Sequence, residues 1–417
     1  MNNRILFKIL QLRKRLWARP LLFCIMAVLA AALAHLTDFV VPDDLPPQIS
    51  RDTVDSLLTI ISSSMLAVAT FAVGSMVSAY SSAGQAATPR AFFLVLDDDV
   101  SQTALSSFIG AFIFSIVGLI ALKTEFYGPA GIFAMFLLTI SIFAWVILTF
   151  VRWVDNIARL GRLGSTIDKA EDAAEASIRD RLSQPYLGGV RQTEKTALKG
   201  YAVHASQIGY VQYVDVQALQ QIAEAHGLHI MLAALPGTFV THDRALVVLN
   251  HGGMIDDDLR AEIEDCFVIG NNRSFEEDPR FGLIVLSEIS ARALSPGVND
   301  PGTAIVTIGR FVKLLALWTR PEDPDSPPQI KYDRLIVPEI ALDEMFDDAF
   351  TAIARDGAGT VEVGIRLQKA FRSLARISYP GMRDQALRHS GLALKRARQA
   401  LPLEEDYARL EAVARTI

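Results

Sequence analysis

Charge is missing from four long stretches of this 417-residue chain: residues 21–37, 56–89, 100–122 and 126–151 contain no Asp, Glu, Lys or Arg. A bilayer core takes about 20 apolar residues in helical form, and backbone groups inside it have to be hydrogen-bonded within the segment. Each run meets both demands as a helix, the first with help from its flanks. Cysteine is nearly absent as well. Cys24 and Cys266 cannot build a disulfide framework, and both are expected as reduced, buried thiols. An excess of basic charge is also lacking, because the net charge is −6. That argues against a nucleic-acid partner, whose footprint is a basic patch or stripe. The class that remains is an integral membrane protein with a large soluble part and the lipid bilayer as its first partner.

The charge that is present sets an orientation, because Lys and Arg collect on the cytoplasmic side of spans. Arg4, Lys8, Arg13, Lys14, Arg15 and Arg19 precede the first run without an acidic residue among them. Between runs one and two stand Asp38, Asp43, Asp44, Asp52 and Asp55 against Arg51 alone. Arg152, Arg159 and Arg162 follow run four. The loop from Ser81 to Val100 is less decisive, with Arg90 opposed by Asp97, Asp98 and Asp99. Four spans then put both termini in the cytoplasm of a bacterial inner membrane. The basic start and Ala32-Leu33-Ala34 also resemble a secretory signal with its cleavage site. The apolar stretch continues past Ala34 and three spans follow, so a retained first helix is expected.

Along the chain, residues 1–19 read as a basic interfacial helix or as a flank that only fixes topology, and residues 20–152 as a four-helix transmembrane domain. Residues 153–199 follow as a polar linker helix that breaks at Gly188-Gly189. Residues 200–320 read as a small cytoplasmic α+β domain. Strands are expected near Tyr201–Ala205, Tyr210–Tyr213, Leu228–Leu235, Ala245–Leu249 and Cys266–Ile269, with helices over Val216–His226 and Asp256–Asp265 and a turn at Pro236-Gly237. Two helices follow, one through Phe281 to Leu294 and one through Thr303 to Trp318. Asn299 or Asp300 is placed to cap the second, with Pro301 in its first position. Residues 321–328, with Pro321, Pro324, Pro327 and Pro328, form a linker. Residues 329–417 read as a helical C-terminal region broken near Gly357 and at Pro380-Gly381.

Several short stretches resemble a known family. They are Thr88-Pro89-Arg90, Gly209-Tyr210-Val211-Gln212 with Asp215, and Pro236-Gly237-Thr238-Phe239-Val240. The most specific runs from Glu288 through Arg292 into Ala293-Leu294-Ser295-Pro296-Gly297-Val298-Asn299-Asp300-Pro301. Over nearly its full length the chain resembles the predicted bacterial inner-membrane proteins grouped as domain of unknown function 2254. The resemblance implies four spans and a cytoplasmic soluble region, and it implies no activity. The chain departs from the family's pattern at Gly302, where many relatives carry an aromatic residue.

Span two is unusually polar. Ser56, Thr59, Ser63, Ala67, Thr70, Gly74, Ser78 and Ser81 recur every three or four residues, which puts small side chains, mostly hydroxyls, on one helix face. Ser56, Thr59, Ser63, Thr70, Gly74 and Ser78 are therefore candidates to line a hydrated path. The competing reading is close helix packing, in which small residues let backbones approach. Ser107, Gly110, Ala111, Ser115 and Gly118 of span three read as packing. In the soluble part, Arg273, Glu276, Glu277, Asp278, Glu288, Arg292, Asn299 and Asp300 form a cluster that either binds a ligand or fixes the break between two helices. Glu288 and Arg292 share one face of a helix.

Five of the seven histidines fall between His204 and His251, but their spacing fits no metal motif. Gly357-Ala358-Gly359 follows a helix, whereas a dinucleotide fingerprint follows a strand. No nucleophile–base pair is legible, so neither an enzyme, nor a metal, nor a cofactor is expected. The leading expectation is a homo-oligomer with a channel or transport role regulated by its cytoplasmic domain. The alternative is a membrane-anchored scaffold or sensor that conducts nothing.

Overall fold

The computed structural model describes residues 17–42, 47–86, 88–96, 98–160, 163–319 and 329–417. The basic segment before Trp17 and the proline-rich linker at 321–328 lie outside the described residues. The chain divides into two compact units, Ile5–Thr166 and Ile167–Ile417.

The first unit is a helical bundle of α1 (Ala18–Val40), α2 (Arg51–Ala86), α3 (Pro89–Leu96), α4 (Asp99–Lys123) and α5 (Pro129–Leu160). The four uncharged runs fall in α1, α2, α4 and α5. The short helix α3 lies in the stretch read as a loop. α4 is the central helix, and its small residues put it there. Ser107, Gly110, Ala111, Ser115 and Gly118 are all buried, and a Cβ on Gly110 would stand 3.1 Å from Phe23 of α1. Cys24, expected to be buried, is only half-buried, because α1 is covered on one side by its neighbours.

Acidic side chains tie the bundle together at both ends. Asp38, at the end of α1, accepts the Gly128 and Gly131 backbone N–H groups at 2.9 and 2.6 Å. A carboxylate at a helix N-terminus satisfies orphan donors and opposes the positive end of the dipole. The close approach of Asp38 leaves no room for a side chain on either glycine. At the other end Asp98 caps α4 through the Ser101 N–H at 3.0 Å and accepts the Asn156 amide of α5 at 2.6 Å. Asp99 pairs with Arg19.

The second unit opens with α6 (Leu163–Ser183), which begins just before the unit boundary, and continues through β1 (Gly189–Arg191), β2 (Tyr201–His204), β3 (Gly209–Val214), α7 (Val216–Ala225), β4 (Ile230–Leu232), β5 (Phe239–Val240), β6 (Ala245–Leu249), α8 (Asp257–Asp265) and β7 (Phe267–Gly270). Then come α9 (Phe281–Ala293), α10 (Pro301–Trp318), β8 (Tyr332–Val337), α11 (Leu342–Asp356), α12 (Val361–Ala375), α13 (Met382–Ala400) and α14 (Glu404–Ala414). One sheet has the order β1-β8-β4-β6-β2 and a second the order β5-β3-β7.

The α+β region is therefore wider than residues 200–320. β8 comes from the segment read as wholly helical and runs parallel to both β1 and β4. Its last three residues, Leu335–Val337, are buried. Such a continuous apolar run cannot be told from a helix by period alone. The helical region has a further break at Leu401–Leu403, beyond those at Gly357 and Pro380-Gly381.

Five helices among the described residues are long and apolar enough to cross a membrane: α1, α2, α4, α5 and α10. α10 packs within the second unit, where Phe311, Leu314, Leu315 and Trp318 are buried. Its Arg310 and Lys313 pair with Glu171 of α6 at 2.5 and 2.9 Å, and Arg310 also reaches Asp168.

Candidate functional site

α2 has two opposed faces. Val54, Leu58, Ile61, Met65, Ala69, Ala72, Met76 and Tyr80 form its buried stripe. At about 100° per residue, the hydroxyl stripe centres on the far side. Ser56, Thr59, Ser63, Thr70, Gly74 and Ser78 are exposed on the protomer surface. They therefore neither line a path inside the protomer nor pack against another of its helices. The Ser63 hydroxyl donates to the carbonyls of Thr59 and Ile60, and Thr70 donates to Leu66 at 2.9 Å. Gly74 and Ser78 also line an open groove of about 670 Å³ with Phe71, Ser75, Ala79, Ser82, Ile157 and Ala158. A Cβ on Gly74 would meet nothing within 4 Å.

The charged cluster of the second unit proves to be two places at opposite ends of α9. Before that helix, Arg273 grips Asp278 with two hydrogen bonds of 2.6 and 2.9 Å. Asp278 is buried against Gly237, which takes a positive φ of 90°. This contact joins the Pro-Gly-Thr-Phe-Val turn to the loop before α9. Arg280 binds Asp348 at 2.6 Å and also Glu344, both on α11. Buried Arg181 donates to the Glu277 carbonyl at 3.1 Å. Burial pushes the Glu277 carboxyl up, although Arg181 opposes the shift. Asp348 is likewise raised by burial, against the pull of Arg280.

Past the other end of α9, a 13-residue helix and so about 20 Å long, stand Asn299 and Asp300. Asn299 has φ 49° and turns the chain. Asp300 is the N-cap of α10, accepting the Thr303 N–H at 3.1 Å and its hydroxyl at 2.6 Å. Those two bonds hold its carboxyl below the usual range. Glu288 and Arg292 ride on α9 between the two places, Glu288 half-buried and Arg292 exposed in the last turn. The five histidines between His204 and His251 are all exposed. No group of His, Cys, Asp and Glu able to hold a metal occurs among the described residues.

The family described as predicted membrane protein, domain of unknown function 2254, matches residues 13–373. The chain belongs to that family. Curated relatives of this predicted membrane protein include uncharacterised proteins of Mycobacterium bovis and Mycobacterium tuberculosis, each 33% identical over 108 residues. The match covers 25% of this chain and 21% of each relative, so the chain spans about a fifth of their length. No solved structure matches it significantly.

Sequence reading missed the residues that tie the bundle ends, Asp38, Asp98 and Asn156. The signal was present for one of them. Asp98 stands three residues before Ser101 at the head of an apolar run, the arrangement of a capping residue. Arg181, Arg280 and Asp348 carried no such signal, because their pairing joins segments far apart in the chain.

Proposed function

We propose that this predicted membrane protein is a homo-oligomer of four-span subunits, α1, α2, α4 and α5, whose α2 faces meet around an axis and line a hydrated path. The exposed hydroxyl face of α2 carries the reading. In a lone protomer it would lie against lipid, whereas its small side chains suit a second helix or water. The count of four rests on α10, whose two basic residues are paired with α6. The excess of Lys and Arg around the spans supports an inner-membrane protein with both termini and the second unit in the cytoplasm. There the second unit would regulate the path, and no step of this reading calls for enzyme chemistry.

A scaffold or sensor without conduction draws on a different observation. The Ser63 and Thr70 hydroxyls already bond to their own helix, so they have no need of water. The two readings part in one experiment. The full chain in proteoliposomes is assayed for ion flux over a range of ions, voltages and membrane tensions, with oligomer size measured in detergent. A stable oligomer with flux is expected. Silence under all conditions transfers the reading to the scaffold or sensor, and a monomer removes the path around an axis.

A further inference from the structure

Charge is unevenly placed in the second unit. The hairpin of α12 and α13 with its turn, residues 361–400, carries nine Lys and Arg against Glu362 and Asp384 alone, a net of +7 in a chain of net −6. Two hydrogen bonds between Gln368 and Ser390 pin its helices together. Two of the nine bases hold the fold, Arg388 through Asp347 and Arg398 through Glu404. The other seven make no salt bridge among the described residues. Of these, Arg366, Lys369, Arg376, Arg383 and Lys395 are exposed.

The exposed bases are patterned. Arg366, Lys369 and Arg376 share one side of α12, turned away from the buried Leu367, Phe371 and Leu374. On α13, Arg383 stands four residues before Leu387, so the two share a face, and Leu387 is 43% exposed. Like charges gathered on one surface repel one another. An anionic leaflet answers many such charges at once without demanding a fixed geometry. The chain keeps one within reach, because α5 ends at Leu160 and α6 begins at Leu163, and a tether this short raises the effective concentration of the surface. An exposed leucine beside an arginine also suits the boundary between headgroups and acyl chains, whereas an acidic protein would ask only for the charge.

We propose that the α12–α13 hairpin docks on the surface of an anionic phospholipid bilayer through Arg366, Lys369, Arg376, Arg383 and Lys395. The docking depends neither on conduction nor on oligomer formation, so its failure and the failure of the channel reading are separate results. Its competitor is a face that is merely solvated.

The test uses the full chain in nanodiscs of phosphatidylcholine, with or without phosphatidylglycerol. Acetylation of Lys369 and Lys395 by an uncharged reagent is followed in time by mass spectrometry. Nanodiscs expose both leaflets, so the orientation of the spans does not enter. Both lysines are expected to react several-fold more slowly in the anionic discs. High salt should close most of that gap, because at 1 M the screening length is about 3 Å. Combining Arg366→Gln, Arg376→Gln and Arg383→Gln leaves both reporter lysines in place and should remove most of the slowing. Equal rates in the two lipids would leave the face to solvent or to an acidic protein and overturn the proposal, as would slowing that survives the triple substitution. Should that variant not fold, the wild type decides: slowing that salt abolishes supports docking, and slowing that salt leaves intact overturns it.

Discussion

At the residue scale, Asp300 and His389 show how single side chains hold the second unit. Asp300 closes the turn into α10 through two bonds to Thr303. Asp300→Ala should lower stability by about 1 kcal/mol, the usual scale of a lost cap, as read by denaturant unfolding. Unchanged stability with lost function would point instead to a ligand at this turn. His389 is 1% exposed among the rings of Phe346, Phe350 and Phe371, with Asp347 and Arg388 at its Nε2. Burial, helped by Arg388, lowers its pKa to about 4. The unfolded chain, titrating near 6.5, therefore takes up a proton that the folded chain refuses. Stability from this residue is complete above pH 6.5 and is lost as pH falls from there toward 4. Tm measured between pH 7 and 5 should fall less steeply in His389→Phe than in the wild type; equal slopes would remove His389 as the cause.

At the scale of elements, small residues do different work in the two units. Gly282 of α9 lies against α6 so closely that a Cβ there would sit 2.3 Å from the Cβ and 2.8 Å from the Cα of Ala174. Main chain cannot rotate away as a side-chain tip can. Gly282→Ala should cost about 1–3 kcal/mol, the range for overpacking, and a wild-type unfolding midpoint would refute the contact. On α2 the small residues face outward, which makes Thr70→Leu informative. If the face lines water, flux should be blocked with the oligomer intact. If it meets a neighbouring helix, assembly should fail first, because small residues had let the backbones touch.

This difference explains what the sequence could reveal. The period of three and four marked a small-residue face on both span two and span three. Only packing decides that one is buried in the bundle and the other is left outside, and packing is not a local property. The Asp300 cap and the Pro-Gly turn were legible because their chemistry lies within a few residues. The division of the charged cluster was not, since the length of α9 separates residues that look contiguous in the chain.

At the scale of the whole molecule, the charge asymmetry around the spans makes a prediction independent of any site. Gln48 stands between α1 and α2, on the side opposite the basic flanks. An impermeant thiol reagent should label Gln48→Cys in intact spheroplasts, and protection there would reverse the orientation.

The placement of β8 has a consequence for biosynthesis. β8 lies between β1 and β4 and is parallel to both, yet among the described residues it is the last of the strands to be made. While the ribosome is still short of residue 337, β1 has no neighbour in its sheet and β4 has one bare edge, and unpaired edges of this kind invite association with other chains. The apolar helices have by then been translated, so membrane insertion can begin before the sheet is able to close. Truncation between β7 and β8 would leave a chain with α1, α2, α4 and α5 complete and a permanently open sheet edge, the sort of product that quality-control proteases remove.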